Sequence, residues 1–180
     1  MGQQTLYAII AMMVMSLFAM QQQRQALRVQ MSMIDQEINT IASSVATERL
    51  EEIGSKAFDH ATTNGTTITS ASALTAPAEF GTNMDADSND DLDDFNGSEV
   101  TVVRSIGGSD LAFTTSSTVS YVSASNLDEV SSSRTKYKMV TVMVTVNDQL
   151  DESLYSVEGL ARKTITVSQT YSCNSACQFM

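Results

Sequence analysis

LYAIIAMMVMSLFAM (residues 6–20) continues into QQQRQALRVQMSMIDQEINTIASSVATERLEEI (residues 21–53), and this stretch decides the fold. Neither glycine nor proline occurs between Gln3 and Ile53, and the apolar run contains one polar side chain, Ser16. These features predict an unbroken helix from about Gln3 to Phe58, which would span roughly 80 Å. Because so long a helix cannot be buried within one small domain, we expect its first part to find partners in lipid or in other copies of the chain.

The second part of the predicted helix carries an apolar stripe. Residues on the stripe follow one another at intervals of four and three: Leu27, Met31, Ile34, Ile38, Ile41 and Val45. This spacing is typical of an amphipathic helix with one face on a core, whereas a helix that is apolar all round is buried on every side. We therefore divide the chain into residues 1–25, an apolar membrane or filament-core segment; residues 26–58, an amphipathic helix that continues into the head; and residues 59–180, a β-rich globular head.

Strand signals recur in the head after Glu99. The segments are EVTVVRS (99–105), LAFTT (111–115), STVSYVS (117–123), TKYKMVTVMVTV (135–146) and ARKTITVSQTYS (161–172). Gly107-Gly108 after the first of them is a hairpin-type turn, and the fourth alternates valines with methionine and threonine, as in a strand with one buried face. The expected fold class is α+β, with a long N-terminal α-helix packed against a small antiparallel β-sheet of four or five strands.

The charge of the chain excludes some functions. The formal net charge of the 180 residues is −11, and no Lys/Arg cluster is present of the kind that binds nucleic acid. His60 is the only histidine and lies near the end of the predicted helix, where we expect it to be a cap or a surface residue. Neither a GxSxG motif nor a phosphate-binding glycine loop occurs. We expect a protein that is not an enzyme and that needs no cofactor, unless it binds Ca²⁺.

Much of the negative charge lies between Glu79 and Glu99, where eight carboxylates occur without a base. Six of these carboxylates cluster closely enough to suggest a Ca²⁺ site: Asp85, Asp87, Asp90, Asp91, Asp93 and Asp94. The stretch is not an EF-hand, because the sixth position is Asp90 rather than Gly and the twelfth is Asn96 rather than Glu. A single calcium site built from some of these residues is one interpretation, and a solvated acidic loop is the other.

Two further kinds of site concern covalent modification. Cys173 and Cys177 are the only cysteines; their spacing is not that of a CxxC redox pair, so a disulfide across a small loop, formed in an oxidising compartment, is one interpretation and two free thiols are the other. Asn64 and Asn96 begin NGT and NGS sequences, which are formal glycosylation sites on predicted loops. Such tripeptides also occur by chance in a chain rich in Ser, Thr and Asn.

The order of these features resembles that of the type IV pilins and pseudopilins. An apolar helix start, an amphipathic continuation, a variable loop, an antiparallel sheet and a C-terminal cysteine pair follow one another in the same sequence, and DDLDDFNG (90–97) is similar to an Asp-rich segment of some minor pilin-like proteins. One departure is Thr5, where that family usually has a Glu that pairs with a neighbouring subunit's amino terminus. No basic leader ending in Gly is visible either, which we interpret as its removal or as unusual processing.

The resemblance implies a structural subunit of an extracellular, pilus-like helical filament at the cell surface. Such a subunit is inserted in the cytoplasmic membrane before assembly, requires a membrane platform and an ATPase, and has other copies of itself as partners. The residues expected in the filament core are apolar: Leu6, Ile9, Ile10, Met13, Val14, Leu17 and Phe18. A minor pilin or secretion pseudopilin, and a single-pass membrane-anchored surface binding protein, are the alternatives.

Overall fold

The computed structural model describes residues 2–82, 89–106, 108–147 and 163–173. Helix α1 is Gly2–Gly54, and strands β1 to β4 are Glu99–Ile106, Ser109–Tyr121, Tyr137–Asn147 and Lys163–Ser172. Short 3₁₀ turns lie between α1 and β1 at His60–Thr62, Ala71–Ala73, Pro77–Glu79 and Asp93–Phe95. By its contacts the chain divides into two compact units, Met1–Asn39 and Thr40–Met180.

The predicted fold class is confirmed. The four strands form one antiparallel sheet in the order β1-β2-β3-β4, and the long helix belongs to the same α+β fold. Helix α1 begins where it was expected and ends at Gly54, a little before Phe58.

The sequence prediction divided β2 wrongly into two strands. LAFTT and the first five residues of STVSYVS belong to the single strand Ser109–Tyr121, because Ser116 between them pairs with Glu99 on one side and with Met143 on the other. Continuous ladders on both sides satisfy the backbone groups of this serine, so its low strand propensity does not interrupt the strand. The expected hairpin is present: Ile106 pairs with Ser109 across the turn, and Gly108 has a φ of 89°, which favours glycine.

Alternate residues of the two central strands form the buried face of the sheet. The members of this face are Phe113, Thr115, Ser117, Val119 and Tyr121 on β2, and Lys138, Val140, Val142, Val144 and Val146 on β3. Each residue of the first set is the cross-strand partner of one residue of the second, from Phe113 opposite Val146 to Tyr121 opposite Lys138. A lysine therefore lies at the end of a row of four buried valines, on the face that alternation assigns to the core.

The last four turns of α1 supply the apolar stripe that belongs to the head. Its buried positions are Ala42, Val45, Ala46, Leu50 and Ile53, spaced as an amphipathic helix requires. The hydroxyl of Tyr171 on β4 donates a hydrogen bond of 3.0 Å to the carbonyl of Leu50. Its ring comes so close to the helix that a Cβ added at Gly54 would lie 2.6 Å from the ring.

Gly54→Ala is expected to destabilise the head by about 1–3 kcal/mol, because the new methyl group would displace the Tyr171 ring and its hydrogen bond. Urea unfolding followed by circular dichroism measures the change. Thr47→Ala is the matched control, since Thr47 is an exposed helical position and its substitution should change the free energy of unfolding by no more than about 0.5 kcal/mol. Equal stability of the Gly54→Ala variant and the wild type would contradict the close approach of Tyr171.

Candidate functional site

The first candidate site is the apolar surface of α1 within the unit Met1–Asn39. All large apolar side chains from Leu6 to Ile34 are between 49% and 75% exposed. The seven residues predicted for the filament core are among them: Leu6, Ile9, Ile10, Met13, Val14, Leu17 and Phe18. Nothing in the described residues covers these side chains, so they remain available to lipid or to another protein.

This surface is suited to a waterless environment. The hydroxyl of Ser16 donates a hydrogen bond of 2.8 Å to the carbonyl of Met12 one turn earlier, so the polar side chain in the apolar run is satisfied within the helix. A helix also satisfies its own backbone groups, which is what a bilayer or a dry bundle demands. The segment that begins at Leu6 is long and apolar enough to cross a membrane by length and composition, with a mean hydropathy of 1.3; a signal sequence shares these properties.

The second candidate site is a buried ionic cluster around Lys138. The side chain of Lys138 is fully buried, and its ammonium group donates three hydrogen bonds. The acceptors are the carbonyl of Phe58 at 2.8 Å, Oδ2 of Asp59 at 2.8 Å and Oδ1 of Asp93 at 2.5 Å. Both carboxylates are themselves buried. The three N–H groups of one cation thus connect three segments of the head.

The local fold explains how these residues meet. Asp59 caps the 3₁₀ turn His60–Thr62 a few residues after α1 ends. A parallel bridge between Ala57 and Asp91 places the acidic segment beside this turn, with hydrogen bonds from the Ala57 amide to the Asp90 carbonyl (3.0 Å) and from the Leu92 amide to the Ala57 carbonyl (2.9 Å). Asp93, at the start of the 3₁₀ turn Asp93–Phe95, is thereby brought opposite Lys138.

Aromatic rings enclose the ammonium group. Nζ of Lys138 lies 4.6 Å from the ring centre of Phe58 and 5.2 Å from those of Phe80 and Tyr121. The rings of Phe80 and Tyr121 also pack on each other, with centroids 5.1 Å apart. Cation–π attraction of this kind strengthens when the cation is removed from water, so the rings both exclude solvent and stabilise the charge.

The carboxylate of Asp59 accepts hydrogen bonds from several donors in addition to Lys138. Its Oδ1 accepts hydrogen bonds from the Ala61 amide at 3.2 Å and the Thr75 hydroxyl at 3.2 Å, and its Oδ2 accepts one from the Thr75 amide at 3.0 Å. The Tyr121 hydroxyl lies 3.3 Å from the same Oδ2. Asp93 differs: its Oδ2 is buried and has no hydrogen-bond partner among the described residues.

These surroundings shift the carboxyl pKa values in opposite directions. Burial alone would raise the pKa of Asp59, but the charge and hydrogen bond of Lys138, with the Thr75 and Ala61 amides, lower it overall. Burial raises the pKa of Asp93 to about 7, against the attraction of Lys138 and with the help of the Asp59 and Asp91 charges. Burial and Asp94 likewise raise the pKa of Asp91. Below about pH 7 and above the lowered pKa of Asp59, Asp59 is thus ionised while Asp93 is favoured as a neutral acid.

Sequence reasoning missed this cluster, although one signal was present. Lys138 falls in the same alternation as Val140 and Val142, which assigns it to the buried face, and a buried lysine requires a carboxylate partner. Asp59 gave no such signal, because it lies in a stretch with no regular pattern. The choice of Asp93 among many acidic neighbours depends on the Ala57–Asp91 bridge, a tertiary feature.

Four of the six residues predicted to bind Ca²⁺ lie among the described residues, and they have different partners. Asp85 and Asp87 lie outside the described residues. Asp93 is bound to Lys138, whereas Asp94 accepts hydrogen bonds through Oδ2 from the Asp90 amide at 3.1 Å and the Asp91 amide at 3.4 Å. Calcium binding by this stretch therefore stays a prediction, with Asp93 committed to another partner.

A different set of candidate metal ligands meets next to the cluster. His60, Asp90 and Asp91 each offer one ligand atom, and these atoms lie within 4.8 Å of one another. The Nδ1 of His60 is 3.9 Å from Oδ2 of Asp91. Three ligands are fewer than the six to eight oxygen atoms that Ca²⁺ takes, and a nitrogen ligand is better suited to transition metals.

The modification sites have different surroundings. Cys173 is buried and disulfide-bonded; Cys177, its predicted partner, lies outside the described residues, so that pairing stays a prediction. Asn64 is exposed in a loop, as a glycosylation site requires. The Asn96 amide is engaged within the head, where Oδ1 accepts from the Val119 amide at 3.0 Å and Nδ2 donates to the Phe80 carbonyl at 3.4 Å. Glycosylation of either residue stays a prediction.

Comparisons with protein-family models, with curated proteins and with solved structures found no match to this chain.

Lys138→Met should destabilise the head by about 3–5 kcal/mol, because it removes the cation and leaves Asp59 and Asp93 buried side by side. Denaturant unfolding at pH 7 measures the loss. Lys56→Met is the matched control: Lys56 is exposed, and its substitution should stay within about 0.5 kcal/mol of the wild type. Similar losses in the two variants would contradict the central role of Lys138.

The raised pKa of Asp93 predicts a particular dependence of stability on pH. Between about pH 4 and pH 7 the folded protein retains on Asp93 a proton that the unfolded chain has released, so the free energy of unfolding should fall as the pH rises through this range. Asp91 acts in the same direction, whereas the stabilising contribution of Asp59 is lost only as the pH falls below its ordinary value of 3.8.

Unfolding in urea at several pH values tests this expectation. Asp93→Asn should flatten the decline between about pH 4 and pH 7 while Lys138 and Asp59 remain in place. The comparison of slopes cancels the contribution of every group that both proteins share. An unchanged slope in the variant would assign the pH dependence to other groups.

Proposed function

We propose that this chain is a structural subunit of an extracellular, pilus-like helical filament that polymerises through the apolar N-terminal part of α1. The observation that carries the proposal is the exposure of every large apolar side chain between Leu6 and Ile34. Monomeric soluble proteins rarely expose apolar patches of this extent. We therefore expect this surface to be buried, in the cytoplasmic membrane before assembly and in the filament core afterwards.

The length of the apolar surface on the helix favours self-association over a role as a single membrane anchor. Its apolar surface continues past Met20 through Leu27, Met31 and Ile34, all exposed within the chain, whereas a bilayer core requires only about 20 residues. This later part also carries two positive charges, at Arg24 and Arg28. The first segment of the helix is apolar on all sides, and the second is amphipathic. Such a helix is suited to a bundle of many helices whose interior excludes water around the first segment and is partly polar around the second.

Packing rather than simple water exclusion would drive assembly from the membrane. Lipid tails are as apolar as leucine, so transfer of Leu17 or Phe18 from lipid to a bundle brings no hydrophobic gain by itself. Close van der Waals contact among many helices provides the gain, repeated for each subunit. The methionines of this segment, such as Met12, Met13 and Met15, suit contacts with several non-equivalent neighbours because the thioether chain is adaptable.

Electron microscopy of material sheared from native cells, with mass spectrometry of the purified fibres, tests the proposal. Thin fibres composed mainly of this chain are the expected result. Leu17→Asp should abolish the fibres and leave the head folded, because a charge in a dry apolar core costs several kcal/mol. Circular dichroism and urea unfolding of the variant in detergent monitor the head.

Two controls sharpen this test. Leu17→Met conserves volume and polarity at the same site, so fibres should persist. Ser132→Asp introduces the same charge at an exposed position of the head and should also leave the fibres intact. Fibres in the Leu17→Asp variant, or a wild-type protein that stays monomeric in the membrane fraction, would favour the anchored binding protein instead.

A further inference from the structure

We propose that Lys138 and Asp59 are the site of an intramolecular isopeptide bond, formed autocatalytically in the folded head with Asp93 as the catalytic residue. The bond would join Nζ of Lys138 to Cγ of Asp59. The proposal is independent of the filament, since all three residues and their contacts belong to the unit Thr40–Met180.

The first requirement of such a reaction is that amine and carboxyl group be held together without water. Nζ of Lys138 lies 2.8 Å from Oδ2 of Asp59, and both side chains are fully buried. Rings of Phe58, Phe80 and Tyr121 enclose the amine at 4.6 to 5.2 Å. Fixed proximity replaces an encounter in solution and raises the effective concentration of the reacting groups by orders of magnitude. Removal of water also favours the neutral amide product over a pair of buried ions.

The second requirement is stabilisation of the oxyanion that appears when an amine attacks a carboxyl carbon. Asp59 has the necessary donors, because the Ala61 amide (3.2 Å), the Thr75 amide (3.0 Å) and the Thr75 hydroxyl (3.2 Å) are already directed at its oxygens. Backbone amides fixed in this way act as an oxyanion hole. Oδ2 of Asp93 has no donor among the described residues. Asp59 is therefore the acyl group, and Asp93 is not.

The third requirement is a group that moves protons between the amine and the departing oxygen. Asp93 lies 2.5 Å from Nζ through Oδ1, and its second oxygen is buried without a partner. A carboxylic acid can accept a proton on one oxygen and donate one from the other. Asp93 is therefore in direct contact with the attacking nitrogen.

The chemical step balances without any other reactant. A proton passes from the Lys138 ammonium group to Oδ2 of Asp59 along their hydrogen bond, which produces a neutral amine and a neutral carboxylic acid. The nitrogen lone pair attacks Cγ of Asp59, while Oδ1 of Asp93 accepts an amine proton and its other oxygen donates a proton to the departing hydroxyl. The C–O bond breaks, one water leaves, and Asp93 ends in the protonation state in which it began. No group is oxidised or reduced.

The mass of the intact chain tests the proposal. Wild-type protein and the Lys138→Arg variant are reduced, denatured and measured by mass spectrometry. The mass of the variant, corrected for the replacement of arginine by lysine, is the mass expected for a wild type without the bond. The measured wild type should be lighter than this by one water, because arginine retains the charge of lysine but cannot form the amide. This comparison cancels any processing or glycan that both proteins carry. Tandem spectra should show the peptide containing Asp59 joined to the peptide containing Lys138.

Two substitutions assign the roles. Asp93→Asn should restore the missing water and leave circular dichroism native-like, because it removes the proton carrier and retains the shape. Asp59→Asn should give a product of the same mass as the wild type, because condensation with lysine then releases ammonia in place of water. A wild-type chain with no missing water would overturn the proposal, as would a cross-link between Lys138 and Asp93, or full cross-linking in the Asp93→Asn variant.

Discussion

One ammonium group, Nζ of Lys138, imposes the constraint on which the organisation of the head depends. It is buried and requires three acceptors, and the chain provides them from the segment after α1 and from the acidic segment: the Phe58 carbonyl, Asp59 and Asp93. A buried cation without these partners would cost far more free energy than a small domain has available. Docking of both irregular segments on the end of β3 is therefore obligatory, and the 3₁₀ turns at His60 and Asp93 position the two carboxylates for it.

The acidic segment consequently has two roles within a few residues. Asp93 faces inward and is bound to the cation, whereas Asp90 and Asp91 lie next to His60 and Asp94 binds backbone amides. Treated as a single cluster of like charges, the segment suggests a metal ion as its counterion. In the folded head the counterion for part of this charge is a lysine of the same chain, which is why the partner of an acidic run cannot be identified from the run alone.

Periodic features were predictable and irregular ones were not. The spacing of Leu27, Met31 and Ile34 indicates the helix, and the alternation of Val140 and Val142 indicates β3, because regular backbone repeats impose regular apolar positions. The division of β2 failed because pairing on both edges outweighed local propensity. The burial of Lys138 could be predicted, since Lys138 follows the alternation of the valines. Its carboxylates come from segments whose conformation is set by tertiary contacts, and no local pattern reports such contacts.

The contacts of Lys138 have a mechanical consequence. Asp59 and Lys138 are 79 positions apart in the chain, and Asp59 follows α1 closely, so the cluster connects the end of the helix to the central strand β3. A tensile load that enters along α1 and passes into β3 reaches this connection before it can extend the intervening segments, including β1 and β2. Extension along this path requires the Lys138 contacts to separate, and the full burial of the Lys138 and Asp59 side chains excludes the water that would help them to separate.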